Sequence, residues 1–201
     1  MSATAAGWNF RNTSAYVTDG TDETYVLSEA YPVTRDIGGT NWTFGWTTTI
    51  TGRANRDSTV DRRLAGINYT IPDVDGTGIF RIDLPATGNW DIRLAWGDQS
   101  FSHAFDVITL KDNLTTFLTL SHDQTTAKFW DPTDVEYTTA AWPGSNSALT
   151  RNFASTTFFF ELTVSGGAGQ ANTIAHISVL QGAGAGGAAP RKWSMGRLGV
   201  Q

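Results

Sequence analysis

Hydrophobic and polar side chains alternate most clearly between Phe80 and Trp96. The even-numbered positions of segments 80–84 and 90–96 are apolar, and most of the positions between them are polar. This period of two is typical of strands that bury one face, because successive strand side chains point to opposite sides. The two segments are separated by the turn-forming residues Pro85–Asn89. The pattern therefore predicts a β-hairpin, and the rest of the chain is expected to pack on it.

Similar alternation recurs along most of the chain, separated by turn residues. The strands predicted in this way are 8–16, 24–27, 42–48, 64–71, 101–108, 117–120, 125–130, 134–139, 158–164 and 174–180. Residues 28–42 and the polar segment that begins at Gly52 are predicted to be connections. No stretch shows helical periodicity, so the fold class predicted is an all-β, antiparallel β-sandwich of jelly-roll type, with a barrel as the alternative.

The chain length favours one domain. Its 201 residues are enough to bury a core without metal or disulfides, and the absence of cysteine excludes a disulfide scaffold while leaving the compartment open. We expect an N-terminal arm at 1–7, the sandwich at 8–180, and a flexible Gly/Ala-rich tether with a basic, aromatic tip at 181–201. Four tip residues are predicted to dock on a neighbouring subunit, with a frayed tail as the alternative: Arg191, Lys192, Trp193 and Arg197.

Charge and hydropathy exclude several classes of partner. The net charge of -5, with few clustered Lys and Arg, argues against nucleic-acid binding, which requires phosphate neutralisation. No apolar run has membrane-spanning length, so no membrane insertion is expected. The start of the sequence lacks the basic and apolar regions of a classical signal peptide. Localisation is therefore left unknown from these features.

Several segments together resemble the malectin-like, galactose-binding-like β-sandwich modules, a carbohydrate-binding-module-like group. The resemblance covers residues 8–180 and is best at 45–98, and the segments that carry it are Gly45-Trp46, 53–57, Asp61 with 63–67, 80–85 with Gly88, and Gly97-Asp98. Such modules accompany pectin-degrading esterases and lyases, and similar domains occur in phage and uncultured viral proteins. The resemblance implies a jelly roll that binds sugar on a loop-lined face.

Sugar binding requires exposed aromatic rings beside hydrogen-bonding side chains. Trp46, Trp90 and Trp96 share strand faces with other apolar residues and are predicted to be core. The carbohydrate-binding candidates are the aromatic and polar residues in edge or loop contexts: Trp42, Phe44, Arg53, Asn55, Arg56, Asp57, Tyr137 and Trp142. For Trp42 and Trp142 the alternative is burial against neighbouring loops or at a subunit interface. For Arg53, Arg56 and Asp57 it is an ion-pair network that fixes the loop.

Catalytic and metal-binding patterns are weak. The sequence has no Gly-x-Ser-x-Gly elbow, no cysteine and no closely spaced histidine pair, so no enzyme activity is expected. Glu161 is the carboxylate that could lie in a cleft, but a glycosidase needs a second one. No cofactor is expected, with structural calcium at the acidic turns 19–23 or 73–76 as the alternative.

These observations favour a non-catalytic domain that binds a glycan or cell-surface polysaccharide and is displayed on a virus particle, where the virion surface is the favoured location. The alternative is a structural decoration or minor virion protein that contacts other virion subunits, or copies of itself in a homo-oligomer, without binding sugar. A polysaccharide-active enzyme is the third hypothesis.

Overall fold

The computed structural model describes residues 4–11, 23–56, 62–64, 66–71, 76–124, 126–142, 147–164 and 171–182. Strands dominate these residues, with two short 3₁₀ turns at Arg62–Leu64 and Thr139–Ala141. The strands are β1 (Ala5–Phe10), β2 (Glu23–Val26), β3 (Val33–Ile37), β4 (Thr40–Trp46), β5 (Gly52–Asn55), β6 (Gly66–Thr70), β7 (Gly78–Asp83), β8 (Gly88–Asp98), β9 (His103–Asp112), β10 (Thr115–Gln124), β11 (Lys128–Trp130), β12 (Glu136–Thr138), β13 (Leu149–Phe153), β14 (Thr157–Val164) and β15 (Asn172–Gln181).

The strands form two sheets that face each other. Within the described residues, one sheet has six strands in the order β10-β9-β14-β7-β4-β3, and the other has nine, with the path β12-β11-β8-β15-β1-β2 and with β13, β5 and β6 attached. The strand pairs are antiparallel apart from β1 with β2. The chain crosses repeatedly between the sheets, so the predicted jelly-roll β-sandwich is confirmed.

The predicted hairpin at residues 80–96 is wrong, although both of its strands exist. Strand β7 pairs with β4 and β14 in the six-stranded sheet, while β8 pairs with β11, β13 and β15 in the other. The turn between them carries the chain over the edge of the sandwich. Their apolar faces consequently meet across the core, with Phe80, Ile82, Trp90 and Ile92 all buried. Alternation reports which face of a strand is buried but does not report its hydrogen-bonded neighbour.

Three of the observed strands are not predicted from the sequence. Strands β3 and β5 fall in the segments that were predicted to be loops, and β13 has no counterpart in the prediction. They are short and rich in polar residues, and β3 is the edge strand of its sheet. At the N-terminus, β1 begins at Ala5, so part of the predicted arm is strand.

Aromatic side chains fill the space between the sheets. Phe10, Trp46, Phe80 and Phe160 contact one another with ring centroids 5.1–5.9 Å apart. Trp90 and Trp96 are fully buried and Trp46 is 2% exposed, as predicted. A second apolar cluster lies on the opposite face of the nine-stranded sheet, and its buried members are Leu64, Ile67, Ala95, Phe129, Tyr137, Trp142 and Ala175.

Candidate functional site

A pocket of about 290 Å³ opens at the corner where the chain passes from β8 to β9, that is, from the nine-stranded sheet to the six-stranded one. We call it the corner pocket. Strands β5 and β6 and the start of β15 complete its walls. Its apolar lining is Ala54, Ile67, Tyr69 and Ala171, its polar lining is Arg56, Asp98, His103 and Thr173, and Phe101 lies at its mouth.

An ion pair forms one wall of the corner pocket. Arg56 donates from Nε to Asp98 Oδ1 at 2.7 Å and from Nη2 to Asp98 Oδ2 at 2.9 Å. The Asp98 side chain is fully buried, and its Oδ1 also accepts from the backbone N–H of Ser100 at 2.8 Å. Burial alone would raise the pKa of Asp98, but the hydrogen bonds from Arg56 and Ser100, together with the proximity of His103 and the charge of Arg56, outweigh burial and lower it to about 2. Asp98 is therefore ionised at neutral pH.

Two aromatic rings border the corner pocket. Phe101 is 57% exposed, which is unusual for so large an apolar side chain, and the Arg56 guanidinium lies 4.9 Å from its ring centroid. Tyr69 is half-buried and packs over Gly52. A Cβ at Gly52 would lie 2.2 Å from Tyr69 Cδ2, so the glycine makes room for this ring position.

The remaining polar groups of the corner pocket are the His103 ring and the Thr173 hydroxyl. His103 Nε2 is buried and has no hydrogen-bond partner, and it lies 3.7 Å from Asp98 Oδ2. Thr173 lies on β15 and contacts the buried amide of Gln124. With that amide turned so that each of its atoms has a partner, Nε2 donates to Thr173 Oγ1 and Oε1 accepts from Trp96 Nε1.

A buried carboxyl group lies behind Gln124. In the same amide orientation, Gln124 Nε2 also donates to Asp106 Oδ2 at 3.2 Å, whereas Asp106 Oδ1 is buried without a partner. Burial, and to a lesser extent the charge of Asp123, raise the pKa of Asp106 to about 8. Asp106 is therefore mainly protonated at neutral pH and adds no full charge behind the pocket.

The four aromatic rings that the sequence predicted to be exposed are buried, so that expectation is wrong. Trp42 and Phe44 are fully buried because they occupy the inward positions of β4 and pack against the core. Tyr137 and Trp142 are each 4% exposed and belong to the second apolar cluster, where the Tyr137 hydroxyl donates to Leu94 O at 3.1 Å. None of these rings presents a face on which a sugar could stack.

The polar residues that were predicted to bind carbohydrate lie in different parts of the structure. Arg56 lines the corner pocket and forms an ion pair with Asp98 of β8. Arg53 donates to Leu27 O at 2.7 Å, and Asn55 is the last residue of β5. Asp57 and the tail residues Arg191, Lys192, Trp193 and Arg197 lie outside the described residues. Glu161 pairs with Lys111 at 2.6 Å and does not line the corner pocket.

Sequence reasoning missed Tyr69, Phe101, His103 and Thr173 as site residues. Phe101 carried a usable signal, since it follows the turn residues Gly97–Ser100 and has no apolar neighbour. Asp98 was noted as part of the resemblance, yet its pairing with Arg56 joins two strands that are far apart in sequence. The pocket therefore brings together two of the segments on which the resemblance depends.

Among the residues that the structure describes, no three His, Asp or Glu side chains converge as a metal site requires. The predicted calcium turns 19–23 and 73–76 lie largely outside those residues. In the described part of the chain, no helix is long and apolar enough to cross a membrane.

Comparisons with known proteins found similar folds but no family. No family model and no curated protein matches the sequence. Among solved structures, a plant receptor-like kinase, FER, has 10% identity and a TM-score of 0.48 over 88% of this chain and 42% of its own. A Bacteroides uniformis β-glucuronidase has 12% identity and a TM-score of 0.44 over 87% of this chain and 17% of its own.

A third similar structure is a smaller one. The CBM36-1 domain of a multidomain xylanase from the hindgut metagenome of Trinervitermes trinervoides has 19% identity and a TM-score of 0.37, over 72% of this chain and 99% of its own. This chain spans less than half the length of the receptor kinase and glucuronidase chains. At these identities and TM-scores, we draw no conclusion about function from the similarities.

Proposed function

We propose that this domain binds carbohydrate in the corner pocket and does not alter it chemically. The observation that carries the proposal is the exposed ring of Phe101 at the mouth of a pocket lined by hydrogen-bonding side chains. An aromatic face stacks on the C–H face of a sugar ring, while polar groups around it receive the hydroxyls. Tyr69 and His103 line the pocket that such a ring would enter.

The carboxylates support binding rather than hydrolysis. Glycoside hydrolysis generally requires two carboxyl groups, one of which holds a proton to donate. Among the described residues that line the corner pocket, Asp98 is the one carboxylate, and Arg56 holds it ionised. Glu161 lies elsewhere, bonded to Lys111. Attachment to a virus particle, and a purely structural role within one, stay predictions from the sequence.

Replacing the exposed ring tests the proposal. We expect Phe101→Ala to weaken glycan binding about tenfold, which corresponds to about 1.4 kcal/mol. Its free energy of unfolding should change by no more than about 0.5 kcal/mol, because the side chain is largely in solvent. Binding is measured on an array of pectic, galactose-rich and bacterial surface polysaccharides, followed by calorimetry with the best ligand.

Leu114→Ala is the matched control for this experiment. Leu114 is 85% exposed on the turn between β9 and β10 and does not line the corner pocket. Its replacement removes a similar apolar area and should leave binding unchanged. Equal affinity of the Phe101→Ala protein and the unaltered protein for every bound glycan would place the sugar site elsewhere. Absence of binding to all of the glycans would overturn the proposed function.

A further inference from the structure

We infer that the corner pocket selects uncharged sugars and rejects those that carry a carboxylate or sulfate group. This inference rests on the proposed function, since it names the class of sugar that the same pocket takes. It follows from how the two charges in the pocket are arranged. Arg56 and Asp98 are each other's partners, so the positive charge of Arg56 is already balanced within the protein.

Three of the five N–H groups of the Arg56 guanidinium donate within the protein. Its Nε and Nη2 donate to the two oxygens of Asp98, and its Nη1 donates to Asn55 O at 3.3 Å. The Cζ atom of the group lies over the Phe101 ring, 4.9 Å from its centroid. A ligand carboxylate could obtain the Nε–Nη2 pair of donors only by displacing Asp98. That displacement would leave Asp98, which has no exposed surface, as an uncompensated buried charge.

Asp98 itself opposes an anionic ligand. A carboxylate or sulfate in the pocket would lie close to a second negative charge in a poorly solvated place, where like charges repel strongly. Asp98 cannot relieve this repulsion by taking up a proton near neutral pH, because its pKa is about 2. Among the described lining residues, there is no second Lys or Arg to offset it.

The groups that remain suit sugar hydroxyls. His103 Nε2 is buried without a partner in the pocket wall, and a hydroxyl can donate to it or accept from it according to its tautomer. Phe101 offers the stacking face. The volume of about 290 Å³ is at the low end of the range for ligand pockets, about 300–1,000 Å³, so it suits one sugar ring.

Matched pairs of sugars test the inference on the unaltered protein. Oligosaccharides that end in galactose or glucose are compared with those that end in galacturonic or glucuronic acid, since each pair differs only at the terminal carboxylate. We expect the uncharged member to bind at least about tenfold more tightly. We also expect its affinity to be insensitive to added salt, because no unpaired charge takes part.

A second experiment tests whether substitutions in the pocket change this specificity. The variant Asp98→Asn keeps an oxygen acceptor for the Ser100 N–H but frees the charge of Arg56, so we expect the uronic-acid member to gain affinity about tenfold or more, in a salt-dependent way. The double variant Asp98→Asn with Arg56→Gln lacks the charges of both residues and should lose that gain. Asp91→Asn removes the same charge from β8 at a residue that contacts Thr150 outside the pocket, and should change nothing.

The outcomes are distinct. Tighter or equal binding of the uronic-acid member by the unaltered protein overturns the inference and leaves the proposed function standing. A folded Asp98→Asn protein, identified by its circular dichroism and melting curve, that keeps the original preference also overturns it. If Asp98→Asn does not fold, the matched pairs decide alone. No binding of any member of the pairs overturns the proposed function and the inference with it.

Discussion

Trp42→Ala is expected to lower the free energy of unfolding by about 3–5 kcal/mol, the cost typical of removing a large aromatic side chain from a core. Trp42 lies on β4 of the six-stranded sheet and is fully buried. Its ring contacts Trp8 of β1 at 5.5 Å and Trp90 of β8 at 5.9 Å between centroids, both in edge-to-face geometry. Because both partners belong to the nine-stranded sheet, the substitution opens a cavity between the two sheets.

Chemical denaturation monitored by circular dichroism measures this loss. Trp42→Phe is the control, because Trp42 Nε1 makes no hydrogen bond and a phenyl ring retains much of the packing. It should cost clearly less than the alanine substitution. A Trp42→Ala protein with unchanged stability and lost glycan binding would instead support the sequence-based assignment of Trp42 to a sugar site. From the structure we expect the opposite result: a Trp42→Ala protein that is less stable but, where it remains folded, still binds glycan.

The prediction that Trp42 is exposed is wrong, although the local alternation of side chains indicates its burial. Trp42, Phe44 and Trp46 alternate with polar or small residues in the same way as Trp90 and Trp96, which were predicted correctly as core. The period therefore placed Trp42 on a buried face. Trp142 is different, since no strand pattern surrounds it. It is buried because its segment covers the outer face of the nine-stranded sheet, which only tertiary structure reveals.

Strand existence was predictable to a large extent, whereas strand pairing was not. A period of two in the sequence indicates each of the strands β8, β14 and β15. The partner of β8, however, is β15, which lies about 80 residues later in the chain. Nothing local distinguishes this partner from β7, the neighbour in sequence. The corner pocket could not be predicted for the same reason. Arg56 and Asp98 meet only because strands that are distant in sequence lie side by side in the fold. Arg56 was therefore predictable as a site residue and its partner was not.

Asp106→Asn is expected to stabilise the protein, and to do so more strongly as the pH rises. The pKa of Asp106 is raised from its ordinary value of 3.8 to about 8, first by burial and then by the charge of Asp123. Between these two values the folded protein holds a proton that the unfolded chain releases, so each rise in pH favours unfolding. A shift of this size corresponds to a loss on the order of 5 kcal/mol by pH 8. Asparagine cannot ionise and avoids this loss.

The measurement is the free energy of unfolding of both proteins in urea at pH 5 and pH 8. We expect the advantage of Asp106→Asn over the unaltered protein to grow by a few kcal/mol between these pH values. Comparing the two proteins at each pH removes the contribution of His176. Burial, followed by the charges of Arg63, Arg11 and Arg93, lowers the pKa of this histidine, so its own effect is to raise stability as the pH climbs through about 6.5. Asp98 is ionised throughout this window.

A second variant connects the effect to its cause. Asp123→Asn removes the neighbouring charge, which is the smaller of the two causes of the raised pKa, and leaves Asp106 buried. We therefore expect a change of the same sign and smaller size, with the unfolding free energy falling less steeply with pH than in the unaltered protein. If the difference in unfolding free energy between Asp106→Asn and the unaltered protein is the same at pH 5 as at pH 8, Asp106 is already ionised in the folded state. The buried carboxyl behind Gln124 would then carry a charge, and some group near Asp106 Oδ1 would have to balance it.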